Sequence, residues 1–211
     1  MRRGLLVLET PRDDDLESKL SVGPFLQGLG TSLRCSVACQ RFNGKGDLVH
    51  YLRTFAQSYY TYCYIASHGT TGRLETLLEN ANGATIAAAC RGSRGRGFIV
   101  GACAFGNRES ATRFLLSTRA AFVAGYARDV RWQESMLTDL TFLTYPIGKR
   151  CSRRTNTGRV ELVMSRSGDF SLEGSADPIK VARWGVRGFP SVACPWIHGP
   201  SQSKEKRAMA N

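Results

Sequence analysis

The sequence has no Cys-x-x-Cys pair, and its seven cysteines form an odd set without regular spacing. They are at positions 35, 39, 63, 90, 103, 151 and 194. Small secreted domains that depend on disulfides carry even numbers of cysteines in a regular framework, so this pattern excludes such a scaffold. It predicts reduced thiols and a cytoplasmic protein.

Long hydrophobic runs are also missing. Only five apolar or small residues separate Arg3 from Glu9, too few for the core of a signal peptide. No later run approaches the roughly 20 apolar residues that span a membrane. We therefore expect no membrane association, and the absence of internal repeats argues against a solenoid.

Acidic residues are scarce beside basic ones, with 17 Asp+Glu against 29 Lys+Arg and a formal net charge of +12. Such a charge suits nucleic acid, an anionic membrane or an acidic protein as a partner. The arginines are dispersed through loops such as "CRGSRGRG" and "GKRCSRR", without a basic helix or an aromatic ladder that would stack bases. The sequence predicts a solvated basic surface, and nucleic acid is not expected as a direct ligand.

Signals for a cofactor or a metal are missing as well. The loop "GSRGRG" has the glycines of a phosphate-binding loop but lacks the Lys-Ser/Thr that would complete one. No cysteine pairs with a histidine at zinc-ligand spacing. We expect neither a cofactor nor a metal, and four of the cysteines, Cys35, Cys39, Cys63 and Cys90, are expected to be core residues.

Short apolar runs alternate with amphipathic helical patterns along the first two thirds of the chain. The runs "LLVLE", "TYCYIA", "FIVG" and "AAFVAGY" are apolar on both faces, which is typical of buried parallel strands. One helical pattern opens at Pro24 and places Phe25 and Leu26 on its apolar face; another is capped by Asn107. The alternation predicts an α/β fold with a mainly parallel sheet between two layers of helices. A small C-terminal β-hairpin and helix extension are expected to follow.

Two residues that could take part in catalysis follow predicted strands. His68 follows "YIAS" and Cys103 follows "FIVGA", and the 35 residues between them suffice for a crossover to a neighbouring parallel strand. A free cysteine is most often a small core residue, and His68 by itself is most simply a loop histidine. Together at one sheet edge, however, they can act as nucleophile and proton carrier. Gly69 could bring its N–H close to a substrate carbonyl, and the Cys103 N–H is the natural second oxyanion donor.

The segments "YIASHGTTGRL", "FIVGACAFGN" and "TRAAFVAGYARDVRWQESMLTDL" resemble, in this order, the caspase-like cysteine peptidases, and most closely their bacterial CHAT branch. The similarity spans roughly residues 47–145. It implies a three-layer caspase-like (caspase-hemoglobinase) domain over residues 1–200. The polar composition of residues 201–211 predicts a disordered tail. The resemblance also implies a His68–Cys103 dyad, an oxyanion hole from Gly69 and Cys103, and a protein or peptide substrate.

Members of this branch commonly serve larger assemblies in bacterial defence or programmed cell death, which implies an activating partner. The sequence departs from the family pattern at Arg131, where an acidic residue often precedes the tryptophan. We expect Asp129, Arg131 and Glu134 to line the substrate pocket, with Asp129 favouring a basic side chain. Arg131 could instead neutralise Asp129 or select an acidic side chain. Two alternatives stay open: a catalytically silent caspase-like domain that binds a protein, and a basic nucleic-acid-binding α/β protein.

Overall fold

The computed structural model describes residues 4–11, 21–147 and 170–174. The elements in these ranges are β1 (Gly4–Glu9), α1 (Gly23–Leu33), β2 (Ser36–Arg41), α2 (Lys45–Gln57), β3 (Tyr62–Ala66), β4 (His68–Thr70), β5 (Arg73–Glu75), β6 (Ala81–Asn82), α3 (Gly83–Ala89), β7 (Gly97–Gly101), α4 (Arg108–Thr118), β8 (Phe122–Tyr126), α5 (Trp132–Ile147) and β9 (Phe170–Gly174). Among them, no helix is both long and apolar enough to cross a membrane. The predicted C-terminal extension, except β9, and the 201–211 tail lie outside the described residues.

The main sheet has the strand order β2-β1-β3-β7-β8-β9. Its first five strands are parallel, and β9 pairs antiparallel with β8. The prediction of an α/β fold with a mainly parallel sheet is therefore confirmed. Parallel strands all end on one side of the sheet, which we call the carboxyl edge; the opposite side is the amino edge. A second, antiparallel sheet contains β4, β5 and β6.

Apolar side chains cover both faces of the main sheet, because successive residues of a strand point to opposite faces. On β7, Phe98 belongs to a core that also contains Leu52 of α2, whereas Ile99 belongs to a core that contains Leu26 of α1. Helices α2, α3 and α4 contribute to the first core, and α1 and α5 to the second. The sheet therefore lies between two layers of helices.

Two helices begin as their sequences predict. Asn107 caps α4, since its Oδ1 accepts a hydrogen bond from the Ser110 backbone N–H at 3.1 Å. Pro24 lies in the first turn of α1, and the Glu9 carboxylate at the end of β1 accepts from the Val22 backbone N–H at 2.6 Å. Glu9 therefore joins the first strand to the start of the helix that follows it.

Phe25 differs from its prediction, because its side chain is 47 % exposed rather than buried. Helix α1 approaches β2 so closely at Gly30 that an added Cβ would lie 2.2 Å from Val37 Cγ2. The buried stripe of α1 therefore runs through Leu26 and Gly30, and Phe25 lies beside it. The Phe25 ring instead meets Trp132 of α5 edge-on, with ring centroids 5.9 Å apart.

The cysteines expected in the core divide into two pairs. Cys63 on β3 and Cys90 at the end of α3 are completely buried, as predicted. Cys35 and Cys39 are only half-buried, because β2 is the edge strand of the sheet. Burial raises the pKa of the Cys63 and Cys90 thiols well above the ordinary value, which keeps them protonated and unreactive.

At the amino edge, the Arg96 side chain binds the end of α2 and the connection between α2 and β3. Its guanidinium donates to the Tyr60 carbonyl, to the Ser58 carbonyl at 2.6 Å and to the Ala56 carbonyl at 3.2 Å. It also lies over the Phe55 ring, 5.0 Å from the centroid. Because the carbonyls belong to the end of α2 and the connection to β3, one side chain replaces the hydrogen bonds that a helix C-terminus lacks.

We expect Arg96→Ala to lower the free energy of unfolding by about 2 kcal/mol, since it leaves these carbonyls without their donor. Arg94→Ala is the matched control, because Arg94 is exposed in the same loop, and it should change stability by less than about 0.5 kcal/mol. Urea unfolding curves of the three proteins provide the measurement. Equal stabilities of the two variants would contradict the role of Arg96.

Candidate active site

The pairing of β3 with β7 positions both predicted catalytic residues. In this parallel ladder Ala66 is the partner of Gly101. His68 and Cys103 each come two residues after these partners, beyond the carboxyl edge of adjacent strands. Adjacent strands are about 4.8 Å apart, so the two segments that carry these residues leave the sheet next to each other at the same edge.

The Cys103 thiol faces the connection between β8 and α5. Its Sγ lies 3.5 Å from the Val130 backbone nitrogen, which donates to it, and 3.8 Å from the Val130 carbonyl oxygen. The side chain is half-buried. Val130 therefore holds the sulfur at the surface of the carboxyl edge instead of leaving it in a core.

The turn after Cys103 is held in an uncommon conformation. Ala104 has a φ of +53°, in the left-handed region that costs an alanine roughly 1 kcal/mol or more. Three hydrogen bonds maintain the turn: Ala104 N–H to the Arg128 carbonyl at 3.2 Å, Gly106 N–H to the Tyr126 carbonyl at 2.8 Å, and Asn107 Nδ2 to the Ala104 carbonyl at 2.7 Å. The turn is thereby fixed to β8, and the position of Cys103 with it.

His68 occupies a slightly different place from the predicted one. Strand β3 stops at Ala66, and His68 opens β4, where it pairs with Glu75 of β5. The Ser67 hydroxyl lies within hydrogen-bond distance of the His68 and Glu75 carbonyls. These contacts fix the backbone, while the His68 side chain is exposed to solvent.

Gly69 touches the backbone that carries Cys103. A Cβ added to Gly69 would lie 2.9 Å from the Cys103 carbonyl oxygen, 2.9 Å from the Ala102 Cβ and 3.1 Å from the Arg73 carbonyl oxygen. Two of these atoms are backbone atoms that cannot move aside, so the position requires glycine for its close approach. Consequently β4 and the Cys103 turn are packed against each other directly.

A surface depression of about 340 Å³ adjoins Cys103 through Val130. Its lining consists of Tyr126, Asp129, Val130, Arg131, Glu134, Ser135 and Thr138. All three predicted pocket residues are in this set, and Asp129, Arg131 and Glu134 are exposed. Two carboxylates and one guanidinium give the lining a net negative charge.

A buried carboxylate lies next to this depression and was not among the predicted site residues. Asp139 of α5 is completely buried, and its two oxygens accept from the hydroxyls of Tyr64 and Tyr126. Gly101 makes room for this cluster, because a Cβ there would lie 2.4 Å from Tyr64 Oη. One feature of the sequence could have indicated this cluster: an acidic residue, Asp139, lies on the apolar stripe of a predicted helix, one position before Leu140.

Each oxygen of the Asp139 carboxyl has a tyrosine hydroxyl as its donor. Tyr64 Oη donates to Asp139 Oδ2, and Tyr126 Oη is 2.8 Å from Asp139 Oδ1. The Tyr126 hydroxyl also lies 2.9 Å from the Ser135 carbonyl oxygen, so its one hydrogen is shared between two acceptors. Burial raises the pKa of the Asp139 carboxyl to about 7, although both tyrosine hydrogen bonds act in the opposite direction.

Compared with known proteins, the chain matches no protein-family model and no curated protein sequence. The likeness to caspase-like peptidases therefore depends on the three quoted sequence segments alone. Within the described ranges, no group of three or more His, Cys, Asp or Glu side chains is arranged to hold a metal ion.

We expect the buried carboxyl to make stability fall as the pH rises from about 4 to about 7. In that interval the folded protein holds a proton that the unfolded chain has lost. The stabilisation is therefore complete below the pKa of Asp139 in the unfolded chain, and it is lost as the pH rises through the pKa of Asp139 in the folded protein. Asp139→Asn should remove up to about 4 kcal/mol of this pH dependence in urea unfolding.

Tyr64→Phe is the control, because it removes a hydroxyl but keeps the carboxyl, and it should retain the decline. If the free energy of unfolding changed with pH equally in the wild type and in Asp139→Asn across this interval, Asp139 would not be the group that holds the proton.

Proposed function

We propose that this chain is a cysteine endopeptidase with a caspase-like fold, most similar to the CHAT branch, in which His68 and Cys103 form the catalytic dyad. The observation that carries the proposal is the β3–β7 register, which pairs Ala66 with Gly101, two residues before His68 and Cys103 respectively. Sites of α/β proteins lie at this edge. The α/β fold itself does not specify a reaction, so the argument depends on these two side chains.

The chemistry follows from the two side chains. His68 accepts the thiol proton, and the Cys103 sulfur attacks the peptide carbonyl to form a tetrahedral intermediate. The His68 imidazolium then donates its proton to the leaving amine as the C–N bond breaks, which leaves a thioester on Cys103. Water, deprotonated by His68, hydrolyses the thioester. The exposure of His68 agrees with a group that must meet substrate and solvent in turn.

The oxyanion of the intermediate requires N–H donors that are not already engaged. Among the described residues, the Cys103 backbone N–H has no hydrogen-bond acceptor. Gly69 lies against the Cys103 carbonyl and has no side chain to shield its own backbone. We assign the oxyanion hole to the N–H groups of Gly69 and Cys103.

The depression beside Val130 supports a preference for substrates with a basic side chain before the scissile bond. Asp129 and Glu134 contribute two negative charges to its lining, and Arg131 neutralises one of them. The substrate is a protein or peptide and no cofactor takes part. By its resemblance to the CHAT branch, the chain acts in the cytoplasm in bacterial defence or cell death, with a partner protein that activates it.

We expect an electrophilic peptide ketone ending in arginine to label Cys103 selectively, with loss of labelling in His68→Ala. Peptide hydrolysis should fall about 10³-fold or more in Cys103→Ala. Intact-protein mass spectrometry followed by peptide mapping identifies the labelled thiol. Cys35→Ser is the matched control, because Cys35 is another half-buried thiol, and it should label like the wild type. Labelling of several cysteines to equal extent would instead favour the catalytically silent alternative.

Asp129→Asn should lower kcat/KM about tenfold for peptides with arginine before the scissile bond, because the pocket loses a carboxylate that pairs with the guanidinium. Glu109→Gln is the control, since Glu109 is an exposed carboxylate of α4 that pairs with Arg113 and lies outside the depression. A peptide library provides the measurement, and a preference for acidic side chains would refute the assignment.

A further inference from the structure

The described connections at the amino edge of the main sheet carry charge of one sign. Four described connections lead into β2, β3, β7 and β8 at this edge, over residues 34–35, 58–61, 90–96 and 119–121. They contain five arginines and no aspartate or glutamate. The arginines are Arg34, Arg91, Arg94, Arg96 and Arg119.

Hydrogen bonds join these connections into one surface. The Gly95 N–H donates to the Arg119 carbonyl at 3.2 Å, and the Ala121 N–H donates to the Arg96 carbonyl at 2.7 Å. Arg96 reaches the Tyr60 carbonyl of the neighbouring connection. From β2 to β8 the surface covers four strand spacings, about 19 Å.

Most of this positive charge is directed to solvent. Arg96 is engaged by the carbonyls of the α2 end, but Arg34, Arg91, Arg94 and Arg119 are exposed. None of these four forms an ion pair with a described residue. The surface is therefore a row of guanidinium groups without counter-charges of its own.

Most of the acidic residues in the described ranges lie elsewhere in the fold. Seven of them follow carboxyl strand ends, lie beside the small sheet or begin helices at the carboxyl edge: Glu9, Asp47, Glu75, Glu79, Glu109, Asp129 and Glu134. Asp139 is buried, and Glu173 on β9 is paired with Val123, the second residue of β8, so it is the described acidic residue nearest to the amino edge. The four connections themselves contain no acidic residue.

Helix ends account for only part of this arrangement. Arg34 and Arg119 are the residues that end α1 and α4 in the left-handed conformation, where a cation offsets the helix dipole. Arg91 and Arg94 belong instead to a loop shaped by Gly92 and Gly95, both with positive φ. The Arg91 and Arg94 side chains make no hydrogen bond with a described residue, so fold stability does not explain them.

A stacked tyrosine pair, of which Tyr59 is exposed and Tyr60 is half-buried, lies at the same edge. The rings of Tyr59 and Tyr60 are stacked with centroids 4.4 Å apart and an interplanar angle of 26°. Tyr59 is 61 % exposed, and its hydroxyl is 3.3 Å from Ser36 Oγ at the start of β2. An exposed ring beside a row of guanidinium groups provides both elements of single-strand recognition, base stacking and phosphate contact.

We propose that the amino edge binds single-stranded nucleic acid, with the guanidinium groups of Arg91, Arg94 and Arg119 on backbone phosphates and a base stacked on Tyr59. Arginine suits phosphate because its planar fork donates two hydrogen bonds at once. The exposed ring favours nucleic acid over an acidic protein, which would need the charges alone. This site lies on the opposite edge from Cys103, and it does not depend on peptidase activity.

Fluorescence anisotropy of a labelled oligothymidylate of about 20 nucleotides, titrated with the full chain at several salt concentrations, tests the site. The triple variant Arg91→Gln, Arg94→Gln, Arg119→Gln should bind at least tenfold more weakly at low salt. Its slope of log affinity against log salt should be shallower by about 2, or roughly 0.7 for each lost phosphate contact. Tyr59→Ala should weaken binding about fivefold or more with an unchanged slope.

The control triple Lys45→Gln, Arg73→Gln, Arg113→Gln removes the same charge away from the amino edge and should bind like the wild type, as should Cys103→Ala. Equal losses of affinity in the two triple variants would refute the site and show that binding depends on net charge alone. If Tyr59→Ala bound the oligothymidylate as tightly as the wild type and polyglutamate competed equally well, the nucleic-acid proposal would be refuted in favour of an acidic protein as the partner. If thermal unfolding shows that the first triple is not folded, the pair Arg91→Gln, Arg94→Gln replaces it, with at least a threefold loss expected.

Discussion

The parallel register of β3 and β7 is the constraint on which the candidate site depends. It aligns Ala66 with Gly101, and with them the two segments that leave the sheet next to each other. A shift by one residue would move every apolar side chain of a strand to the opposite face, so the two buried cores hold the register in place. The placement at one edge of the two segments that carry His68 and Cys103 therefore depends on the packing of the interior as well as on the local hydrogen bonds of the Cys103 turn.

Much of the fold could be predicted because it depends on local patterns. Runs that are apolar on both faces identified the parallel strands, and Asn107 identified the start of α4. The prediction for Phe25 was wrong because the buried stripe of α1 is set by the close approach of Gly30 to β2, a contact between distant segments. The half-exposure of Cys35 and Cys39 likewise follows from strand order, which spacing along the chain does not specify.

For the candidate site the limits are similar. The two strand ends were visible in the sequence, and the depression contains the three predicted pocket residues. The Asp139 cluster was missed because its partners Tyr64 and Tyr126 come from two different strands. The basic amino edge was missed for the same reason, since its arginines are separated along the chain and the fold brings them together. In both cases long-range topology, not local pattern, creates the feature.

The close packing at Gly101 limits which amino-acid substitutions this position can accept. Its missing side chain leaves the space that the Tyr64 hydroxyl occupies beside Asp139. A methyl group at position 101 would require that hydroxyl to leave, and its departure would take one donor from a buried acid. A substitution at position 101 is therefore coupled to Tyr64 and Asp139, which come from distant parts of the chain.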